Sequence, residues 1–251
     1  MAERLHKYLA ACGIGSRRQC ERWMAEGRVT VDGIETREPG TVVEPDQVEI
    51  RFNGRIVRPE IHVYLALHKP PGYVCTARDP QGRPRALDLA PPGAGRLFTV
   101  GRLDAESEGL ILLTNDGDFA HRLMHPRHEV TKLYHLWLHE PLSREQCTQW
   151  KAGIHDQGER LKVLEIRPLE AGRGGFGYRI RLGEGKNRHL RRMAAASGKK
   201  VLRLQRVAIG RLALGALKRG QCRPLSSGEL HGLGMTRSDR AAIVDSPSKH
   251  R

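Results

Sequence analysis

The chain has 251 residues, 39% of them hydrophobic, with a formal net charge of +15, long enough for one large domain or for a small and a medium one. It has no apolar stretch near a membrane span, and its start, Met1-Ala2-Glu3-Arg4-Leu5-His6-Lys7, lacks a signal peptide's apolar segment, so a cytoplasmic protein without a membrane partner is expected. Five cysteines, at positions 12, 20, 75, 147 and 222, form no Cys-x-x-Cys pair, which argues against a disulfide framework and a structural zinc site.

Leu5, Tyr8, Leu9 and Cys12 fall at helical spacing and stop at Gly13-Ile14-Gly15. Ser16-Arg17-Arg18-Gln19 then has the spacing of a capping box, opening a second helix that ends near Gly27. Val29-Thr30-Val31 meets the hairpin signal Asp32-Gly33, and Val48, Ile50 and Phe52 suggest a later strand. Residues 1–60 therefore read as a small ααβ domain. They carry ten Lys/Arg and ten Asp/Glu, but Arg4, Lys7, Arg17, Arg18, Arg22 and Arg28 lie in the helical part, while acidic residues gather after Asp32. Leu5-His6-Lys7-Tyr8-Leu9, Gly15-Ser16-Arg17-Arg18 and Gly27-Arg28-Val29-Thr30-Val31-Asp32-Gly33 resemble the RNA-binding domain first described in ribosomal protein S-four. The resemblance implies that Lys7, Arg17, Arg18 and Arg28 meet structured RNA through shape and phosphate contacts.

After Arg58-Pro59-Glu60, the run Val63 to Leu67 predicts a strand that the prolines of Lys69-Pro70-Pro71-Gly72-Tyr73 stop. A second domain, residues 61–234, begins here. The basic loop Asp79 to Arg85 either touches substrate or turns the chain. Leu97 to Val100 and Leu110 to Thr114 read as buried strands, and Gly101-Arg102-Leu103-Asp104 places one carboxylate at the rim between them. On these four letters alone, Asp104 is a loop aspartate or a catalyst.

His121, His125 and His128 have metal-like spacing, but Pro126 interrupts the helix and no carboxylate completes a site, so no metal is expected. Lys132 to Leu138 alternates as a strand, with Lys132, Tyr134, Leu136 and Leu138 on one side and Leu133, His135 and Trp137 on the other. Gly172 to Gly177 fits a dinucleotide fingerprint by letter, but it precedes the strand Tyr178 to Leu182 and reads as a hairpin loop. Beyond that strand, Leu190, Met193 and Ala194 keep helical spacing up to Gly198. Residues 171–223 hold fifteen Lys/Arg against Glu184 alone, whereas residues 61–170 hold fourteen of each sign. A charge excess so concentrated favours a polyanion, and a nucleic acid above others. Residues 235–251 are polar without periodicity and read as a disordered tail.

Taken together, Gly101-Arg102-Leu103-Asp104, Lys132-Leu133-Tyr134 and the run from Glu184 to Met193 resemble the pseudouridine synthases that modify ribosomal RNA. The resemblance implies an α+β catalytic domain on a mixed, largely antiparallel sheet. It implies that Asp104 is the nucleophile or base that breaks a uridine's glycosidic bond before the ring rejoins through carbon five. Arg102 would fill the space left by the flipped base, Tyr134 would stack beneath it, and Arg191 would pair with Asp104 and keep it ionised. Lys132, Lys186, Arg188 and Arg192 would contact RNA. His189-Leu190 departs from the family, where glutamine or glutamate with valine is commoner. No cofactor is expected, because isomerisation moves no electrons to an acceptor and adds no group. The expected partner is ribosomal RNA, of the large subunit in preference to the small, or a ribosomal subunit precursor, met by a monomer. The alternative is a non-catalytic assembly factor that binds ribosomal RNA with the same fold.

Overall fold

The computed structural model describes residues 1–170 and 175–235. The expected tail, apart from Met235, and residues 172–174 of the expected hairpin loop at 172–177 lie outside the described residues. The described chain divides into two compact units at His62 and Val63, with Asn115–Gly117 grouped with the first.

In the first unit, strand β1 (Glu3–Arg4) leads into helix α1 (Leu5–Ala11), and helix α2 (Arg17–Ala25) follows. Ser16 and Gln19 close the capping box, which contributes about 1 kcal/mol to such a helix. Strands β2 (Val29–Val31), β3 (Ile34–Glu35), β5 (Ile50–Phe52) and β6 (Arg55–Ile56) form a four-stranded sheet in the order β3-β2-β5-β6, while β4 (Val42–Val43) pairs with β1. Asp32 and Gly33 both take positive φ, 50° and 79°, as a two-residue hairpin turn requires. Leu5, Leu9, Cys20, Met24, Val29 and Ile50 build a separate core.

The second unit is ordered β7 (Tyr64–Lys69), β8 (Phe98–Val100), β9 (Glu108–Thr114), α3 (Gly117–Met124), β10 (Lys132–Leu138), α4 (Arg144–Ala152), β11 (Ile154–Asp156), β12 (Glu159–Leu161), β13 (Glu165–Pro168), β14 (Phe176–Leu182), α5 (His189–Ala196), β15 (Val201–Ile209), β16 (Leu212–Ala213), β17 (Cys222–Pro224) and α6 (Ser227–Gly232). Among the described residues, nine strands make one sheet with the path β13-β14-β10-β15-β9-β7-β17, to which β16 and β8 attach at β15 and β9. Its pairs are antiparallel except β15 with β9, so the sheet is mixed and largely antiparallel. Alternation puts Tyr134, Leu136, Leu138, Tyr178, Ile180, Leu182 and Leu204 into a core that Trp150 of α4 and Leu190, Met193 and Ala194 of α5 complete. Each such leucine or methionine contributes roughly 1.5–3 kcal/mol by leaving water.

Strand β9 changes partner along one edge, meeting β15 at Glu108 and Gly109 and β8 at Leu112 to Thr114. The loop from Gly101 to Ser107 leaves the sheet at that seam. Gly109 makes the seam possible: at φ 109°, an added Cβ would lie 2.2 Å from the Arg206 carbonyl oxygen and 2.6 Å from its nitrogen. Backbone cannot yield as a side-chain tip can. Gly109→Ala is therefore expected to cost about 2 kcal/mol or more in chemical denaturation, and an unchanged midpoint would contradict this close approach.

Candidate active site

The loop that carries Asp104 is pinned at three places. Leu103 is buried in the core, and its N–H donates to Cys75 Sγ at 3.4 Å. Because the anchored leucine lies between them, Arg102 and Asp104 face the cleft on either side of it, Arg102 exposed and Asp104 partly so. The Gly72 N–H donates to the Ala105 carbonyl at 2.7 Å, and Ser107 N–H to the Asp104 carbonyl at 3.0 Å. Below them, the fully buried Lys69 donates to the carbonyls of Ser107 at 2.6 Å, Pro70 at 2.8 Å and Ala105 at 3.3 Å.

A cleft of about 930 Å³ opens over this loop, lined by Arg102, Asp104, Lys132, Tyr134, Lys186 and Arg188, among others. Arg191, from the first turn of α5, places Nε 3.7 Å from Asp104 Oδ2 and Nη1 3.4 Å from Glu106 Oε2, while Nη2 donates to Ser107 Oγ at 3.3 Å. Burial lowers the Arg191 pKa, and Glu106 and Asp104 oppose that shift. Tyr134 stands on the core face of β10 with its ring in the cleft wall. Lys132, two residues earlier, has its pKa lowered by burial and then by Arg206. Arg188 is exposed, in the left-handed region at φ 47°, and reaches Glu106 at 3.4 Å. Lys186 donates to the Arg160 carbonyl at 2.7 Å.

Arg192 departs from the expectation of an RNA contact. Its guanidinium, 10% exposed, is held 2.5 Å from both Asp156 and Glu159, which ties α5 to the β11–β12 hairpin and leaves little charge for an external anion. The adjacent His189 is buried, and burial lowers its pKa. In the N-terminal unit, Arg17 and Arg18 are exposed at the start of α2, Lys7 lies 3.8 Å from Glu3, and Arg28 stacks over Trp23 and Phe52 at 5.2 and 4.9 Å. Sequence reasoning missed Lys69 and Arg206. The latter is 4% exposed, lines the cleft and donates from Nε to the Leu110 carbonyl at 2.7 Å. Its parity with core-facing Leu204 was the available signal. No cluster of metal-ligating side chains occurs among the described residues.

The Asp104 carboxylate, an aromatic wall and a rim of cations define a cleft suited to carboxylate-driven chemistry on a flat, anion-bearing substrate, while the other lining carboxylate, Asp79, is paired with Arg83. Residues 63–196 match the RNA pseudouridylate synthase family, and residues 3–48 match the S4 domain. The chain is 43% identical to an uncharacterized RNA pseudouridine synthase of Mycobacterium bovis, over 90% of this chain and 91% of the relative. It is 36% identical to the ribosomal large subunit pseudouridine synthase B of Bacillus subtilis, over 92% and 95%. A crystal structure of a pseudouridylate synthase superimposes with a TM-score of 0.65 at 30% identity, covering 92% of this chain and 99% of that one. The chain belongs to the RNA pseudouridylate synthase family, and it is an isomerase with an N-terminal RNA-binding S4 domain.

The electrostatics of Lys69 yield a pH dependence. Burial pushes its pKa down to about 8, against the opposing pull of Cys75, Asp104 and Glu108. The folded value lies below the unfolded one, so its buried charge costs stability below pH 8, and that cost is relieved as pH rises from about 8 towards 10.5. Deprotonation also removes one of the three N–H donors of Lys69, two of which meet carbonyls of the loop. Pseudouridine formation is therefore expected to fall above about pH 8. Lys69→Met should lower activity at least about tenfold and abolish that limb; a variant that keeps the parental pH profile would refute the assignment.

Proposed function

We propose that this protein converts a specific uridine of ribosomal RNA, of the large subunit in preference to the small, to pseudouridine, with Asp104 as the essential carboxylate. The placement of Asp104 beside Arg191 in a cleft walled by Tyr134 carries this reading. Similarity to the Bacillus subtilis large subunit synthase supports the choice of RNA.

A uridine stacked in a helix hides its glycosidic bond, so the target base leaves its stack at a cost of a few kcal/mol, offset by stacking and phosphate contacts. Tyr134 supplies the stacking face. Arg102 occupies the space that the base leaves, while Lys132, Lys186 and Arg188 meet the backbone at the cleft. Asp104 then acts on the sugar, either bonding to C1′ or taking a sugar proton, as the bond from C1′ to N1 breaks; the detached ring turns, and C1′ bonds to C5 as the Asp104 ester breaks or the sugar proton returns. The C5 proton is lost and N1 regains one, so the product has the mass of the substrate. Arg191 holds the carboxylate by charge and orientation throughout. Lys7, Arg17, Arg18 and Arg28 of the S4 domain take a structured part of the same RNA.

Incubation with large-subunit ribosomal RNA, followed by chemical tagging of pseudouridine and mapping of reverse-transcription stops, tests the reading. One protein-dependent site is expected. RNA binding without any new pseudouridine would point instead to a non-catalytic assembly role. Tyr134→Phe should keep binding and turnover, whereas Tyr134→Ala should cost roughly 1–3 kcal/mol in binding. Loss of all turnover in the Phe variant, with folding and binding intact, would give the hydroxyl a chemical role that stacking does not explain.

A further inference from the structure

The face of the sheet opposite the core is basic and aromatic over β13, β14, β10 and β15. Cross-strand pairing sets Arg167 opposite Arg179, Arg179 opposite His135, and His135 opposite Gln205. The next rows set Trp137 opposite Arg203, and Glu165 opposite Arg181. Their core-side neighbours, Ile166, Tyr178, Ile180, Tyr134, Leu136 and Leu204, are buried. The reverse face is open by contrast: Arg179 is exposed, and the side chains of Arg167 and Arg203 are 72% and 43% accessible.

Its charges are not balanced. Among the described residues, Glu165 is shared by Arg167 and Arg181, and buried Glu108 is shared by Arg203 and Arg219, so two carboxylates serve five arginines once Arg179 is counted. Arg167 and Arg179 are directly opposed across neighbouring strands, and like charges so placed destabilise a sheet. An external anion would relieve that repulsion. The arginines span four strands, roughly 14 Å at ordinary strand spacing, which suits a run of phosphates better than a single small anion. Trp137 adds π surface among them, with the Arg203 guanidinium 4.6 Å from its ring centre and the His135 ring 5.9 Å away. Burial, then Arg179 and Arg203, lowers the His135 pKa, which favours the neutral imidazole, and the ring adds aromatic surface. Phosphates beside a stacked guanidinium and indole are the recognition chemistry of single-stranded RNA, not of an acidic peptide.

We propose that this reverse face is a second RNA-binding surface, on which Arg167, Arg179, Arg181 and the Trp137–Arg203 stack hold a single-stranded segment flanking the target uridine. It rests on the reading that RNA is the substrate. Among the described residues, strand β13 ends the sheet on this side. The surface adds affinity and reach, and touches no reacting atom.

The test compares the full-length parent with the double variant Arg167→Ala/Arg179→Ala, using a large-subunit ribosomal RNA transcript titrated across a salt series. The variant is expected to bind about tenfold more weakly near physiological salt, with a slope of log affinity against log salt smaller by about two. Turnover at saturating RNA should match the parent, and thermal stability should not fall, because an opposed like-charge pair has been removed. Affinity and slope equal to the parent's would overturn the proposal, as would a parental dimer that the substitutions dissociate, which assigns the face to a second copy. A parent that binds the transcript but makes no pseudouridine defeats the catalytic reading alone, and the same comparison still decides the surface.

Discussion

The position of Asp104 depends on an ammonium group that never meets solvent. Lys69 closes β7 and donates to three carbonyls, two of them in the loop between β8 and β9. Without it the Ser107 carbonyl would lose this donor in a buried place, where an unpaired group costs about 1–3 kcal/mol, and the Ala105 carbonyl would keep only the Gly72 N–H. The same cation sets positive charge under the carboxylate. Structure and electrostatics are thus one device: the group that fixes the loop also shapes its field.

Three elements converge there from distant parts of the sequence. Strand β7 supplies Lys69, the β8–β9 loop supplies Asp104, and α5 supplies Arg191, which meets the carboxylate because Leu190, Met193 and Ala194 anchor the helix on the sheet core. Arg192 fixes the same helix from its other side through Asp156 and Glu159. Adjacent arginines therefore divide the work, one turned to the cleft and one to the scaffold. Such preorganisation serves the proposed role of Asp104, because a carboxylate already oriented among fixed charges need not reorganise during a reaction.

Much of this was legible in the sequence where local chemistry decides structure. The capping box at Ser16 and Gln19, the turn at Asp32-Gly33 and the alternation around Tyr134 each follow from short-range rules, and the structure contains all three. The Gly101 to Asp104 run read as a rim loop because it stood between two apolar runs, and it does lie between β8 and β9 at the cleft. What local rules did not carry was long-range. Lys69 reads as a charged strand end, and only pairing with a loop 36 residues away makes it a buried tether. Arg206 reads as one of fifteen basic residues, until the bulge between Leu133 and Tyr134 seats it beneath the cleft. Arg192 reads as an RNA contact, but its two carboxylates lie 36 and 33 residues earlier in the chain. The basic excess of residues 171–223 is likewise dispersed. Among the described residues, part of it lines the cleft, part is held in internal ion pairs and part lies on the reverse face of the sheet.

The central claim is that the negative charge of Asp104, held against Arg191, performs the chemistry. Asp104→Asn keeps shape and hydrogen-bonding capacity but removes that charge, so its rate of pseudouridine formation under single-turnover conditions is the most direct measurement. The account predicts binding of ribosomal RNA close to the parent's and no detectable pseudouridine by nucleoside chromatography. A variant that modifies the RNA at the parental rate would contradict it, and Asp104 would then be a residue of the loop's architecture alone.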